Sequence, residues 1–206
     1  MRALIVLMAA LIAPAFAAAT GQIVDVAFVE QAIKRDAIVW DVRDAAEYRK
    51  GHIPGAINFD DAGRMLRDPN SEDFIPTARI EKIFGDAGLD PSREVVVYAT
   101  RGSVWSYFGL FALEFFGAKK AFVFHEGIDG WRGAGKPVST EPHKLAAITV
   151  KLVPQPQLTV STAEMRAAAG NPGVQIVDAR TPREYSGEDI RAIRGGHIPS
   201  AINIPY

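Results

Sequence analysis

Residues 38–58 read I-V-W-D-V-R-D-A-A-E-Y-R-K-G-H-I-P-G-A-I-N, and much of this pattern returns later in the chain. The D-x-R and E-Y pairs return from Asp178 onward, in the stretch D-A-R-T-P-R-E-Y. The turn at residues 51–58 returns as G-H-I-P-S-A-I-N at residues 196–203. The copies are 137 residues apart up to the tyrosine and 145 apart after it, so the second copy carries an insertion of eight residues within 186–195. A repeat of this kind indicates two copies of one domain.

The repeat predicts how the chain is divided into domains. The first copy is predicted to cover residues 25–140, and residues 158–206 are predicted to be the N-terminal part of a truncated second copy. The stretch between them, residues 141–157, shows no long helical pattern and contains Pro142, Pro154 and Pro156. These prolines predict an extended linker.

Strands and helices are predicted to alternate along the first copy. Short β-branched runs predict strands, and apolar residues at helical spacing behind a capping residue predict helices. The predicted strands are residues 37–40, 95–98 and 121–124, and the predicted helices are residues 26–35, 77–84 and 103–116. Thr77 is expected to cap the second helix, which Gly85 and Gly88 then end. This order predicts an α/β fold with a central, mostly parallel sheet flanked by helices.

The composition excludes several classes of protein. Lys and Arg number 23 against 24 Asp and Glu, and this net charge of −1 gives no electrostatic footprint for nucleic acid. The chain has no cysteine, which excludes disulfides, thiolate metal sites and a thiol nucleophile within its 206 residues. The histidines lack metal-binding spacing, so we predict no metal or other cofactor. We expect His52 and His197, which hold equivalent positions in the two copies, to bond to the backbone.

The first 17 residues have the pattern of a signal peptide. Arg2 supplies a positive charge, residues 3–13 are an uninterrupted apolar run, and residues 15–17 read A-F-A, which matches a cleavage site. This apolar run is too short to span a bilayer, because a transmembrane helix needs about 20 residues. We therefore predict an exported protein, periplasmic in a Gram-negative source, with no membrane span after cleavage. A buried N-terminal helix is the alternative.

The best candidate for chemistry in the first copy is the loop at residues 99–104. It connects a predicted strand to a predicted helix, a place where successive backbone N–H groups can converge on an anion. Arg101 can add a charged contact. His125 and Glu126, at the end of the next strand, are expected near the same rim, where they can line its pocket. The predicted anion-binding residues are Ala99, Thr100, Arg101, Gly102, Ser103 and Val104. The alternative is a plain strand-to-helix turn in which Gly102 supplies a positive φ.

Together these blocks resemble the rhodanese (thiosulfate sulfurtransferase) family. The resemblance rests on D-x-R, E-Y and G-H-I-P-G-A-I-N, on V-V-V-Y with its six-residue loop, and on G-I-D-G-W at residues 127–131 and G-K-P-V-S-T at residues 135–140. It covers residues 25–140 and again 158–206, as in the two-domain sulfurtransferases. It implies that two rhodanese domains pack against each other. It also implies that a cysteine takes sulfane sulfur from thiosulfate as a persulfide and passes it to cyanide or another small thiophile.

The sequence departs from this family at Ala99, which stands at the position of the nucleophilic cysteine. A methyl group cannot attack sulfur, so the chain as given is predicted to be inactive. In two-domain members the second domain carries the cysteine, and the spacing from Asn58 to Ala99 in the first copy would place it near position 244, beyond Tyr206. The alternative is a non-catalytic rhodanese-like module that binds an anion or a protein.

Asp178 and Arg180 are the candidate supporting residues for the site of the second copy. They follow a predicted strand, and ligands of parallel sheets bind at the carboxyl ends of strands. Asp41 and Arg43 are their counterparts in the first copy. Each aspartate is expected to cap the turn that follows it, and each arginine to pair with an acidic neighbour.

Overall fold

A computed structural model describes residues 23–206 of the chain. The predicted signal peptide, residues 1–17, lies outside the described residues. Between residues 23 and 206 no helix is both long and apolar enough to cross a membrane. The chain forms two compact units, and the boundary falls between Pro154 and Gln155.

The first unit is built on a parallel sheet. Its strands are β1 (Ile23–Val24), β2 (Ile38–Asp41), β3 (Val95–Tyr98) and β4 (Ala121–Phe124). Its helices are α1 (Val26–Lys34), α2 (Ala45–Lys50), α3 (Ala62–Leu66), α4 (Thr77–Ala87), α5 (Val104–Phe115) and α6 (Gly127–Gly133). The strand order is β1-β4-β3-β2, and each of these pairs is parallel. The carboxyl ends of β2, β3 and β4, and the loops that follow them, therefore lie at one edge of the sheet.

Each face of this sheet has its own apolar core. Trp40 and Val97 belong to one cluster, together with Phe84 of α4. Their sequence neighbours Val39 and Val96 belong to a second cluster, which includes residues of α1 and α6. Burial on both faces explains why these strands are continuous apolar runs without polar alternation. The α/β architecture with a parallel central sheet was correctly predicted.

The helix ends follow the predictions in part. Asp25 caps α1 as predicted and accepts a hydrogen bond from the Phe28 amide, whereas Ser103, predicted as the first helical residue, is the N-cap of α5. Thr77 was wrongly expected to cap α4, because Pro76 holds the N-cap position and no side chain caps this helix. Gly85 lies inside α4, which ends at Gly88 in a left-handed conformation.

The proline-containing stretch between the two copies lies against the first unit over residues 143–152, which we call the strap. The His143 amide donates to the Tyr48 hydroxyl at 3.0 Å, and the Ile148 amide donates to the Gly85 carbonyl at 3.0 Å. A Cβ at Gly85 would come within 2.6 Å of the Ile148 carbonyl oxygen, so close approach of the strap requires glycine there. Leu152 is buried in the same cluster as Trp40.

The second unit contains a short parallel ladder. Its elements are a 3₁₀ turn (Pro156–Leu158), α7 (Thr162–Ala168), β5 (Val177–Asp178), α8 (Pro182–Ser186) and β6 (Ile202–Asn203). The β5–β6 pair joins Val177 to Ile202, as an isolated bridge joins their counterparts Trp40 and Ile57 in the first copy. Trp40 and Ile57 are buried, whereas Val177 and Ile202 are exposed. The register of the ladder is therefore shared between the copies, but its burial is not.

The insertion of the second copy leaves and re-enters the fold at nearly the same point. Gly187 ends α8, and a Cβ placed on it would lie 2.9 Å from the Gly196 amide nitrogen. Three ion pairs hold the inserted residues: Arg183 binds Asp189 at 2.9 Å and Glu188 at 4.0 Å, and Arg191 binds Glu184 at 3.0 Å. Residues 188–195 therefore form an excursion whose two ends touch.

Candidate functional site

The candidate loop begins at the carboxyl end of β3, beside the end of β4. Ala99 is buried and belongs to the apolar cluster that contains Val97. The Ile128 amide at the start of α6 donates to the Ala99 carbonyl at 2.9 Å. Thr100, the next residue, is exposed. The position at which the family resemblance implies a nucleophile is therefore a packed methyl group at the edge of the core.

Two backbone N–H groups of the loop donate to groups of the β4–α6 junction. The Arg101 amide donates to the Asp129 carboxylate at 2.8 Å. The Gly102 amide donates to the His125 carbonyl at 3.0 Å. Gly102 adopts a φ of +67°, the left-handed conformation that the alternative interpretation of the loop expected. These two N–H groups are thus bonded to acceptors of the chain itself.

The remaining turn leads directly into α5. The Ser103 amide donates to the Thr100 carbonyl at 3.2 Å, and the Ser103 hydroxyl accepts from the Trp105 amide at 3.3 Å. The side chain of Val104 is exposed. Ser103 thus closes the loop on one side and begins the helix on the other.

The guanidinium of Arg101 is paired as well. Its Nη2 atom lies 2.6 Å from Oε2 of Glu126, and both side chains are partly exposed to solvent. Glu126 and Asp129 stand at the beginning of α6. Glu126 was expected at this rim, but Asp129 was not identified from the sequence. Its position shortly after β4 could have indicated it, because that segment must lie at the same sheet edge as the loop.

His125 lies at this rim, close to the loop. Its Cε1 atom would be 3.7 Å from a Cβ placed on Gly102. Its Nδ1 atom is 2.7 Å from the Tyr107 hydroxyl, a partner that the sequence did not indicate. Burial raises the pKa of the Tyr107 hydroxyl. The neutral hydroxyl is therefore available to hydrogen-bond the histidine ring.

Asp41 and Arg43 form a buried ion pair beside β3. Arg43 Nε and Nη2 bind the two Asp41 oxygens at 2.9 and 2.5 Å, and Nη2 also donates to the Gly51 carbonyl at 2.9 Å. Burial opposes the charge on Arg43, but its hydrogen bonds and attraction to Asp41 outweigh this and raise its pKa. The Asp41 carboxylate also accepts from the Arg43 amide, so it caps the turn as expected.

Tyr98, the last residue of β3, lies against this pair. The Arg43 guanidinium is 5.9 Å from the centre of the Tyr98 ring, and the Tyr98 hydroxyl accepts from the Ile53 amide at 3.0 Å. Burial, and then the charge of Asp41, raise the pKa of Tyr98 well above 10. The ion pair and the G-H-I-P turn therefore fix the residue that directly precedes Ala99.

Asp178 and Arg180 repeat this arrangement in the second unit. Arg180 Nε and Nη2 bind Asp178 at 3.0 and 2.5 Å, and Nη2 donates to the Gly196 carbonyl at 2.8 Å. Hydrogen bonds from the Arg180 side chain and backbone lower the pKa of Asp178. The same pairing raises the pKa of Arg180. Both residues line a cavity of about 650 Å³.

The expected histidine contacts are present in both units. His52 Nδ1 lies 2.9 Å from the Tyr48 carbonyl, and His197 Nδ1 lies 2.9 Å from the Tyr185 carbonyl. Each histidine ring stacks on its tyrosine with 3.7 Å between ring centres. Within residues 23–206, no group of three or more His, Asp or Glu side chains is arranged to hold a metal ion.

Comparison with protein families places these motifs in a known group. The model of the rhodanese-like domain matches residues 25–134 and 161–206. The chain is 32% identical over 170 residues to a thiosulfate sulfurtransferase of Azotobacter vinelandii, covering 82% of this chain and 63% of that one. It is 29% identical over 180 residues to a thiosulfate sulfurtransferase of Corynebacterium glutamicum, covering 82% of this chain and 60% of that one. The chain thus spans about three fifths of the length of these relatives.

Solved structures share the fold at lower sequence identity. A 3-mercaptopyruvate sulfotransferase of Escherichia coli, described as having the rhodanese fold, superposes with a TM-score of 0.80 at 24% identity. The match covers 90% of this chain and 75% of that one. An anaerobic ergothioneine biosynthesis enzyme of Chlorobium limicola gives a TM-score of 0.78 at 22% identity, covering 89% and 50%.

Proposed function

The chain belongs to the rhodanese family, and we propose that it is part of a thiosulfate sulfurtransferase whose catalytic cysteine follows residue 206. In this proposal the first copy is a non-catalytic domain and the second copy belongs to the catalytic one. The donor is thiosulfate, and the acceptor is cyanide or another small thiophile. Two relatives that carry the name thiosulfate sulfurtransferase support this activity.

The observation that carries the proposal is the arrangement of Asp178 and Arg180. In the first copy the equivalent pair, with the Ile53 amide, fixes Tyr98 immediately before the nucleophile position. In the second copy the ion pair and its bond to the Gly196 carbonyl are already formed. We call the aspartate–arginine ion pair and its bond to the glycine carbonyl the framework. This framework, which would position a strand and its nucleophile, is therefore present in the copy from which a cysteine is expected.

The residues of this framework would hold the nucleophile in place and would not contact the reacting atoms. A thiolate attacks the outer sulfur of thiosulfate, the sulfur–sulfur bond breaks and sulfite leaves; the resulting persulfide then gives its sulfur to the acceptor. Arg180, held by Asp178 and Gly196, would fix the strand that ends just before this thiolate. Asp178 and Arg180 are accordingly proposed as positioning residues.

The first copy is proposed to be non-catalytic for two reasons. Ala99 has no lone pair that could attack sulfur. The amides of Arg101 and Gly102, which would stabilise an anionic sulfur species, donate within the chain instead. The second reason also argues against an anion as the ligand of this copy.

The gene sequence provides the first test. We expect an open reading frame past the codon for Tyr206, with a cysteine codon near position 244; a stop codon directly after Tyr206 would contradict the proposal. The product of that frame should form thiocyanate from thiosulfate and cyanide. The chain of 206 residues should form none above background, and neither should the longer product with its cysteine replaced by alanine.

The role of Arg180 can be tested in the same longer product. Arg180→Ala should lower kcat, because the thiolate is no longer held in place. For the same reason, the midpoint pH at which the cysteine becomes reactive toward an alkylating reagent should rise. Arg180→Lys should restore part of the activity by keeping the charge. Arg183→Ala is a matched control, since Arg183 pairs with Asp189 in the inserted residues. Equal activity of Arg180→Ala and the parent would contradict the positioning role.

Export is also part of the proposal. The signal pattern of residues 1–17 supports it. The mature protein recovered from the source organism should begin at Ala18, as determined by mass spectrometry of its N-terminal peptide. Recovery of a peptide that retains residues 3–13 from the mature protein would contradict export by cleavage.

A further inference from the structure

The β4–α6 junction, residues 125–129, is bound to the candidate loop along its length. It bonds to the Ala99 carbonyl through the Ile128 amide and to the Gly102 amide through the His125 carbonyl. Gly127, with a φ of +55°, passes so close that a Cβ there would lie 2.2 Å from the Ala99 carbonyl oxygen. Only glycine allows this approach. The junction is therefore held against the loop by backbone contacts, independently of any charge.

Two carboxylates of this junction bind the cationic and N–H groups of Arg101. Asp129 Oδ2 accepts from the Arg101 amide at 2.8 Å. Glu126 Oε2 lies 2.6 Å from Nη2 of the Arg101 guanidinium. An oxyanion bound by this loop would need the same amide and the same guanidinium. The two side chains and such an anion therefore compete for one set of donors.

The position of these carboxylates also suits the helix that follows the loop. The N-terminus of α5 carries partial positive charge, yet α5 has no acidic residue in its own first turn. Asp129 and Glu126 supply negative charge to the loop that leads into it, although they belong to the start of α6. A further anion would have to approach both carboxylates and would be repelled by them.

We propose that Asp129 and Glu126 close the loop of the first copy to oxyanions, acting as ligands that the chain supplies to itself. The class of anion excluded is that of sulfate and thiosulfate. This inference concerns the first copy alone, and it holds whether or not the whole protein is a sulfurtransferase.

The test uses the chain labelled with ¹⁵N and titrated with sodium sulfate, then with sodium thiosulfate, at constant ionic strength. In the parent chain we expect no saturable shift of the Arg101 and Gly102 amide resonances. In the double variant Glu126→Gln with Asp129→Ala, both anions should shift these resonances saturably. Sulfate should bind the double variant at least about tenfold more tightly than the upper limit that the titration sets for the parent, the size that one charge-assisted hydrogen bond gives.

Two further variants separate charge from access. Asp129→Asn keeps an oxygen acceptor and removes the charge, so its sulfate affinity should lie between those of the parent and the double variant. Asp90→Asn is the matched control, because the Asp90 carboxylate also accepts a backbone amide, that of Ser92, in another turn; it should behave as the parent does. Saturable binding at the loop of the parent chain would overturn the proposal. So would a double variant that keeps its native spectrum and yet binds no better than the parent.

Discussion

Asp41 with Arg43 and Asp178 with Arg180 make the same set of hydrogen bonds in surroundings that differ. The first pair is almost completely buried, with 0% and 7% of the side chains exposed. In the second pair 11% of Asp178 and 46% of Arg180 are exposed. Asn58 and Asn203 extend the likeness, because each donates to the carbonyls of the aspartate and arginine in its own unit.

The difference shows which contacts of the domain depend only on residues that are close together in sequence. The hydrogen bonds of the framework join residues within one short stretch of each copy, so they form in both units. Burial depends on elements more distant in sequence: in the first unit β3 pairs with β2, and the strap covers α4. Within the described part of the second unit, β5 pairs with β6 alone. The hydrogen bonds of the framework therefore do not depend on the core that buries them in the first unit.

The largest expected effect is that of removing the buried carboxylate. Asp41→Ala leaves the Arg43 guanidinium buried without its partner, which should lower the free energy of unfolding by about 3–5 kcal/mol. Urea unfolding followed by tryptophan fluorescence measures this, because Trp40, Trp105 and Trp131 all lie in the first unit.

Asp178→Ala is the matched change in the second unit. It should leave the tryptophan transition unchanged and reduce the amide-exchange protection of residues 176–180 only. If the two substitutions shifted the tryptophan transition equally, the distinction between a buried and a solvated pair would be wrong.

Removing the strap's anchor should have the next largest effect. Leu152→Ala deletes a buried side chain from the cluster around Trp40 and should cost about 2–4 kcal/mol in the same urea experiment. Val153→Ala is the control, since the neighbouring side chain is largely exposed and its loss should cost less than about 0.5 kcal/mol. Equal losses at both positions would show that the strap is not part of the first core.

Alkaline pH should destabilise the first unit. Burial raises the pKa of Tyr98 well above 10, so the folded state keeps its proton after the unfolded tyrosine has lost it. The contribution of Tyr98 to stability is therefore constant below about pH 10 and falls above it, by about 1.4 kcal/mol per pH unit. The urea midpoint at neutral pH and at about pH 11 measures the fall. In Tyr98→Phe the fall in stability should be smaller. An identical pH dependence in this variant would show that another group causes the fall.

The smallest expected effect is that of removing the asparagine side chain that bonds to the framework, and it should be similar in the two copies. Asn58→Ala removes two side-chain hydrogen bonds to the backbone and should cost about 1 kcal/mol in the tryptophan-detected transition. Asn203→Ala removes the same two bonds in the second unit, and the amides of residues 177–180 should exchange faster there. Destabilisation by Asn58→Ala without faster exchange in Asn203→Ala, or the reverse, would show that these hydrogen bonds do not act equally in the two copies.

Much of the fold could be predicted because local sequence dictates it. Val95–Tyr98 and Ala121–Phe124 are strands at the predicted residues, since short apolar runs buried on both faces leave little ambiguity. Asp25 caps its helix as its place before the apolar pattern of residues 26–35 predicts. Gly85 was misjudged as a helix end because its role is a contact with Ile148, which lies 63 residues away in sequence. No local pattern contains that contact.

The candidate site shows the same limit more sharply. The loop's place at the end of β3 and the positive φ of Gly102 follow from the local sequence. The acceptors of its amides do not, because Asp129 and the His125 carbonyl come from a later strand and helix. A sequence reveals which donors a loop offers, whereas the partners of those donors depend on the tertiary fold.

The close contact between Gly187 and Gly196 explains how the gene could gain or lose the codons between them. Where the ends of an excursion touch, codons can be gained or lost in frame while the flanking helix and turn keep their places. The first copy shows the shorter form, with Lys50 directly followed by Gly51. The same position is a suitable graft site, where a peptide epitope or a fluorophore-binding tag could replace residues 188–195.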